Sequence, residues 1–337
     1  MSNPVLTDAI DRVAGGQDLD SEHAARVLRE VMEGNASEAE TAAFLIGLRT
    51  KGETVQEIAG LAATMRELAL PVRARGDLVD TAGTGGGRPT FNVSTTAAFI
   101  AAGAGCRVAK HGNRSATSRC GSADVLEALG ARIDLEPAEV AACIEEIGFG
   151  FMFAPKHHSA MRHVVPVRKA LGVRTIFNFL GPLTNPAGAK RQVIGVSDPA
   201  RIETLALALA ELGTESALVV SSADGLDELS VSGTTRVVEL KDGRLEVYDV
   251  SPEQVGLELA GDAAVAAGTP DQNARVLRDV LGGQPGTERS LAVFNAGAAI
   301  YVGGLADSLA AGVDKAQEAI DSGAAAGVLD AYVERAQ

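Results

Sequence analysis

From residue 76 onward this chain alternates short apolar runs with helical stretches, and the first run ends in a glycine-rich turn. Asp77-Leu-Val-Asp80 leads through Thr81-Ala82 into Gly83-Thr84-Gly85-Gly86-Gly87, and Ser94 to Ala104 then has helical periodicity. A strand feeding a tight loop and a helix, repeated along a chain, calls for a largely parallel sheet with helices packed on it. Residues 3–70 carry no such signal. They read as four short helices separated by Gly15-Gly16, Gly34-Asn35 and Gly52, where left-handed C-caps are wanted. Asp20 or Ser21, Ser37 and Thr54 are the expected N-caps, and Thr54-Val-Gln-Glu57 is a capping-box pattern.

The alternation continues. Arg107-Val-Ala-Lys110 predicts a short strand, Asp124–Leu129 a helix ending at Gly130, and Ala131–Leu135 a further strand. Pro137 suits the first turn of a helix that stops at Gly148, and Phe149, Phe151 and Phe153 alternate on a strand. Strands are expected at 192–197 and 217–221 with a helix over 199–212 between them. VVELKDGRLEVYDV reads as a hairpin turning at Asp242-Gly243, and the tail from 270 as mostly helical. The fold class expected is therefore α/β: a small all-helical domain plus a larger domain with a mostly parallel sheet flanked by helices. The helical domain covers 1–72, joined by about 160–188, and the α/β domain covers 73–159 and 189–337.

Charge is distributed unevenly. Acids outnumber bases by 44 to 30, for a net charge of -14. Yet Thr81–Ala123 holds no acid while it holds Arg88, Arg107, Lys110, Arg114 and Arg119. Ile147–Ser197 holds none either, against Lys156, Arg162, Arg168, Lys169, Arg174, Lys190 and Arg191. A cleft of one sign focuses field on a ligand of the other, so these windows point to a concentrated anion. A pI near 4.9 argues against a general nucleic-acid binder. Cys106, Cys120 and Cys143 have no metal-site spacing and fit a reducing cytoplasm. No signal peptide or membrane span is expected.

The chemistry-bearing residues lie mainly in these windows. The loop 83–87 matches neither GxxxxGK[ST] nor GxGxxG, but its N–H groups and the following helix N-terminus suit a phosphate; a tight strand-to-helix turn explains it equally well. Asn92-Val93-Ser94-Thr95 offers hydroxyls that cap the helix, hold phosphate oxygens or ligate Mg²⁺. Lys110-His111-Gly112-Asn113-Arg114-Ser115-Ala116-Thr117-Ser118 is the densest polar run and suits phosphate or pyrophosphate. Asp227-Glu228 is either a surface pair or a Mg²⁺ site. Arg168 is suited to a bidentate contact with a carboxylate. His157, His158 and His163 have no acid or Cys nearby in sequence, so no metal site is expected there.

Together GTGG, NVST, KHGNRSATSRCGSADVLEALG, FAPKHHSAMRHVVPVRKALGVRTIFNFLGPLTNP and DGLDELS resemble the anthranilate phosphoribosyltransferases of tryptophan biosynthesis, in order and across essentially the whole chain. The resemblance implies transfer of phosphoribose from phosphoribosyl pyrophosphate to the amine of anthranilate, in a cytoplasmic homodimer joined through its helical domains. It implies that Gly83, Gly86, Gly87, Thr90, Asn92, Val93, Ser94 and Thr95, continued by Lys110–Ser118 and Ser122, hold phosphoribosyl pyrophosphate. Gly83, Asn113, His158, Arg168 and Pro182 would contact anthranilate, and Lys110, Asn113 and Arg168 would carry catalysis. Two Mg²⁺ ions would be held, one by Ser94 and one by Asp227 with Glu228. The family usually reads GTGGD with one more residue before NxST; here Gly87 replaces the acid and Arg88-Pro89 follows. Arg88 is accordingly expected to meet phosphate directly. The alternatives are a nucleoside phosphorylase of the same fold and a non-catalytic relative that binds nucleic acid.

Overall fold

Local signals set the helical unit. The computed structural model describes residues 2–115, 119–261 and 267–337. Four helices open the chain: α1 (Pro4–Ala14), α2 (Ser21–Met32), α3 (Glu38–Lys51) and α4 (Val55–Glu67). Asp20, Ser37 and Thr54 are their N-caps as expected, and Ser37-Glu40 and Thr54-Glu57 both close as capping boxes. Glu57 does more than cap. It is fully buried, and its carboxylate accepts from Leu19 N, Thr54 N and Lys51 Nζ at 3.0, 2.8 and 3.0 Å. One side chain thereby ties three segments of the unit together.

The larger part is a seven-stranded sheet. Its strands are β1 (Leu78–Gly83), β2 (Arg107–Gly112), β3 (Phe149–Phe153), β4 (Arg191–Gly195), β5 (Ser216–Ser222), β6 (Thr235–Lys241) and β7 (Arg244–Val250), in the spatial order β3-β2-β1-β4-β5-β6-β7. The first five are parallel; β6 and β7 add an antiparallel edge. The β6–β7 turn has positive φ at Asp242 and Gly243 (51° and 73°), the geometry a two-residue hairpin requires. From β1 the chain first builds outward through β2 and β3, then returns to place β4 on the other side of β1. This reversal is a switch point, where crossover connections diverge and leave a crevice at the carboxyl ends of the strands.

Each sheet face has its own core. On one face the helix Val93–Gly103 and the four tail helices, among them Thr287–Val302, enclose Phe99, Phe149, Phe151, Phe294 and Tyr332. On the other, β-strand residues Ile194, Val219 and Val238 share one apolar cluster with α1–α4, the helix Ile202–Glu211, and Val164, Val167, Ile176, Phe177, Leu180 and Leu183. The segment 154–188 thus packs onto the N-terminal helices: Ser159–His163 on α2, Val165–Leu171 on α3 and Phe177–Leu183 on α4.

One expected element is absent. Ala131–Leu135 is not a strand. Ala131, Ile133 and Leu135 do alternate inward and are buried. The backbone, however, pairs with Leu126 O and Ala336 O, not with the sheet. The period of two reflects burial beneath the C-terminal helix without a ladder.

The triple role of Glu57 sets a stability test. Glu57→Ala leaves Lys51 half-compensated by Asp18 (2.7 Å) and two backbone N–H groups without acceptors. The unfolding free energy in urea should fall by about 3 kcal/mol. An unchanged midpoint would show that Asp18 and solvent replace the carboxylate.

Candidate active site

The carboxyl ends of β1, β2 and β4, with the loop after β5, supply the site. Lys110, on β2, is 1% exposed. Its Nζ donates to Thr81 O at 2.6 Å and Ser94 Oγ at 3.3 Å. Burial lowers its pKa, opposed by Asp80 and Glu228. Asp80, on β1, is fully buried and accepts from His111 N (3.1 Å) and Asn185 Nδ2 (2.7 Å). Burial raises its pKa against the pull of Lys110 and these donors.

The glycine loop closes onto Asp227. Gly85 N donates to Asp227 Oδ2 at 2.9 Å. A Cβ at Gly83 would lie 2.6 Å from Asp227 Oδ2, and one at Gly87 would lie 2.8 Å from Asp227 Oδ1. On β4, a Cβ at Gly195 would sit 1.6 Å from the Asp227 carbonyl. Small residues at three positions therefore let the 222–230 loop reach the strand ends. Burial raises the pKa of Asp227, and burial with the neighbouring Asp227 charge holds that of Glu228 well above the usual carboxylate range. Glu228 and Ser94 line one small cavity with Thr81, Gly195 and Asn295. Two adjacent carboxylates and a hydroxyl are hard oxygen donors. They suit a cation that keeps waters and takes its remaining ligands from substrate phosphates. Among the described residues no group of three His, Cys, Asp or Glu side chains is placed to hold a metal ion unaided.

Other predicted residues occupy less direct positions. Val93 and Thr95 are buried, so their side chains face the core and only the helix terminus is offered to a ligand. Asn92 makes no side-chain cap; its amide oxygen accepts from Asn273 Nδ2 at 2.9 Å and from Cys120 Sγ at 3.2 Å. Thr90 Oγ1 donates to Phe91 O. Asn113 is exposed, with its carbonyl accepting from Ser122 Oγ, and a Cβ at Gly112 would strike that same hydroxyl. Arg114 is engaged by protein carboxylates: Asp124 at 2.9 Å, and Glu127. Ser115 N bonds Asp124 Oδ2. Ala116, Thr117 and Ser118 lie outside the described residues. Arg88, expected to meet phosphate, is engaged by protein in this structure. Its guanidinium pairs with Asp224 at 3.1 Å and its N–H donates to Gly225 O, because the shortened loop folds back onto the 222–230 loop.

Of the residues expected to contact anthranilate, His158 meets His111 and so joins the segment 154–188 to β2. The rings of His111 and His158 lie 5.1 Å apart, and both are buried. His111 Nδ1 is 3.2 Å from the Gly181 carbonyl, which places the proton on Nδ1. Burial holds the pKa of His111 well below its ordinary value and brings His158 down to about 4. Both rings are neutral at pH 7, and both Nε2 atoms lack a protein partner among the described residues. Pro182 follows Gly181 in sequence and is buried, and its carbonyl accepts from Gln192 Nε2 at 2.9 Å. Arg168, partly exposed, stacks over Phe177 at 5.6 Å. Among the described residues its guanidinium has neither an ion-pair nor a hydrogen-bond partner. His157 instead secures the connection from the helical unit, Nδ1 to Leu70 O at 2.8 Å.

Sequence reasoning missed Asp80, Asn185, Asn273 and Ser197. Asp80 had a usable signal: an acid inside an apolar strand, which has to be paired when buried. Asn185 lies in LTNP and bridges Asp80 to Ala109 O at 2.8 Å.

Fold and site together define a two-domain glycosyl-transferring enzyme. The glycosyl transferase family matches in both parts: its helical bundle domain over residues 7–69 and its a/b domain over 75–326. An anthranilate phosphoribosyltransferase of Rubrobacter xylanophilus is 53% identical over 98% of this chain and 97% of its own length; one of Laribacter hongkongensis is 52% identical over 97% and 96%. The crystal structure of the Thermus thermophilus enzyme of that name superposes with a TM-score of 0.92 at 46% identity, covering 97% of this chain and 99% of that one. The Saccharomyces cerevisiae enzyme, in complex with phosphoribosyl pyrophosphate and Mg, gives 0.90 at 27% identity, covering 99% and 98%. The chain belongs to the anthranilate phosphoribosyltransferase family.

Depressed histidine pKa values set a pH dependence of stability. The unfolded chain takes up a proton near 6.5 and folded His158 only near 4, so stability falls as pH drops through that window. Urea unfolding should show a loss of about 2 kcal/mol from His158 between pH 7 and pH 5. His158→Asn should flatten that part of the profile. An identical profile would mean that the ring is already protonated or solvated in the folded state.

Proposed function

We propose that this chain transfers the phosphoribosyl group of phosphoribosyl pyrophosphate to the amine of anthranilate, releasing pyrophosphate, in tryptophan biosynthesis. The observation that carries this reading is the convergence of the glycine loop, buried Lys110 and Asp227-Glu228 at one switch point, with Arg168 left without a protein carboxylate. Charge develops on the leaving pyrophosphate as the C1–O bond breaks and an oxocarbenium-like sugar forms. Lys110 and the helix terminus at Ser94 favour that charged state over the ground state. Gly83, Gly86, Gly87, Thr90 and Asn92–Thr95, with Lys110–Ser118 and Ser122, bind the pyrophosphate-bearing substrate. Arg168 takes the anthranilate carboxylate, and Gly83, Asn113, His158 and Pro182 line its place. The amine attacks C1 as a neutral nucleophile, so orientation matters more than deprotonation, and its surplus proton passes to solvent. Two neutral imidazoles along that path add no charge that would repel or trap the aromatic acid.

Mg²⁺ bound by Asp227 and Glu228, and a second ion at Ser94, would supply charge neutralisation for the phosphates. The donor set suits that role, as hard oxygens that leave room for phosphate ligands. We further assign the helical domain to 1–72 with about 160–188, and the α/β domain to the remainder. The working form is a cytoplasmic homodimer joined through the helical domains. No described helix is long and apolar enough to cross a membrane. No membrane or nucleic-acid partner is part of this reading. The adjacent carboxylates and the net charge of -14 also count against a nucleic-acid-binding relative.

Two variants test the assignment. Arg168→Ala should raise the anthranilate KM on the order of tenfold or more with the phosphoribosyl pyrophosphate KM little changed; a pure kcat loss would move the carboxylate contact elsewhere. Asp227→Asn with Glu228→Gln should lower kcat and weaken the dependence on Mg²⁺. An unaltered Mg²⁺ titration would remove these residues from the metal site.

A further inference from the structure

The Gly85 carbonyl gathers an unusual set of donors. Arg174 Nη2 reaches it at 3.0 Å and Ser197 Oγ at 2.9 Å, while Arg174 Nη1 also donates to Ser197 Oγ at 3.1 Å. Arg174 is itself held from behind. It stacks on Phe179 at 5.6 Å, and Arg201 lies over the same ring at 5.5 Å while ion-paired to the almost fully buried Glu53 at 2.7 Å. Arg49, on α3, donates to the Arg174 carbonyl at 2.8 Å. The guanidinium is thus fixed between the helical unit and the glycine loop.

A trans peptide points its C=O and N–H in opposite directions. The peptide whose oxygen Arg174 and Ser197 hold is the one whose N–H belongs to Gly86. Gly85 and Gly86 have φ of 67° and 83°, conformations in which glycine gives the backbone no side-chain guidance. Gly86 N–H has no protein partner among the described residues. A Cβ at Gly86 would strike Arg174 Nη1, so the guanidinium also abuts that residue.

We propose that Arg174 is a positioning residue for the transfer reaction: with Ser197 it locks the Gly85–Gly86 peptide so that the Gly86 N–H faces the pyrophosphate group of the substrate. This rests on the phosphoribosyl-transfer reading. The interaction needs the planar fork of Arg, because one side chain serves both the carbonyl and the hydroxyl; a Lys ammonium cannot reproduce it.

The test is steady-state kinetics on the full-length chain with both substrates varied. Arg174→Ala should lower kcat/KM for phosphoribosyl pyrophosphate on the order of 10- to 100-fold and leave the anthranilate KM unchanged. Arg174→Lys should not restore it. Ser197→Ala should act in the same direction, and the double variant should lose less than the product of the two single losses. Full recovery in Arg174→Lys would overturn the proposal, since Arg174 would then act as a point charge. An unchanged kcat/KM for phosphoribosyl pyrophosphate would also overturn it, as would parallel shifts for both substrates. If Arg174→Ala does not fold, Ser197→Ala and Arg174→Lys decide by the same criteria. If the wild-type chain consumes no anthranilate, it is the functional reading that fails. Calorimetric titration with pyrophosphate and Mg²⁺ on the same variants then decides the loop-locking role, which weaker binding in Arg174→Ala supports and equal binding overturns.

Discussion

A lysine ammonium almost wholly removed from water is the constraint on which this site is built. Lys110 is 1% exposed, and an uncompensated buried ammonium would cost several kcal/mol. Its compensation comes from three places in the fold. Asp80 lies on β1, Ser94 opens the helix that follows the glycine loop, and Glu228 follows β5. Meeting the demand of one cation therefore brings together the strand ends and loops that hold the substrate groups. Asn185 extends the arrangement, since its bond to Asp80 fastens the LTNP turn of the segment 154–188 to the sheet. In the same frame Glu228 is held protonated more readily than an ordinary carboxylate, a condition that a bound divalent cation would reverse.

The glycine loop shows how a local departure from a family pattern is absorbed. A Cβ at residue 87 would come within 2.8 Å of Asp227 Oδ1, so an acid at this position would place one carboxylate against another in the present conformation. Gly87 removes that conflict, and the shortened loop lies down on the 222–230 loop. Arg88 then serves as a clasp, through its bond to Gly225 O and its pair with Asp224, which also accepts from Ser222 and Ser230 hydroxyls. The cation that sequence alone assigns to the substrate is thus engaged in holding two protein loops together.

Much of the architecture was legible because it is written in local chemistry. Capping boxes, glycines after amphipathic runs and the Asp242-Gly243 turn each act within a few residues, and they marked elements that the structure contains. Ala131–Leu135 misled because alternation reports burial of every second side chain, which a loop under a helix satisfies as well as a strand. In the site, Lys110, Asp227, Glu228 and Arg168 were legible as charges lacking a local reason. The pairs Arg88–Asp224 and Arg114–Glu127 were not, since each partner arrives through the folded topology. Asn273 and Ser197 are ordinary polar residues in sequence, and only their arrival at Asn92 and Gly85 gives them a role.

The most direct measurement follows anthranilate fluorescence in purified protein, with phosphoribosyl pyrophosphate and Mg²⁺ added together and each omitted in turn. Fluorescence should be lost only in the complete mixture, with stoichiometric release of pyrophosphate. Folded protein that leaves anthranilate unconsumed in that mixture, or consumes it without phosphoribosyl pyrophosphate, would contradict the proposed transfer.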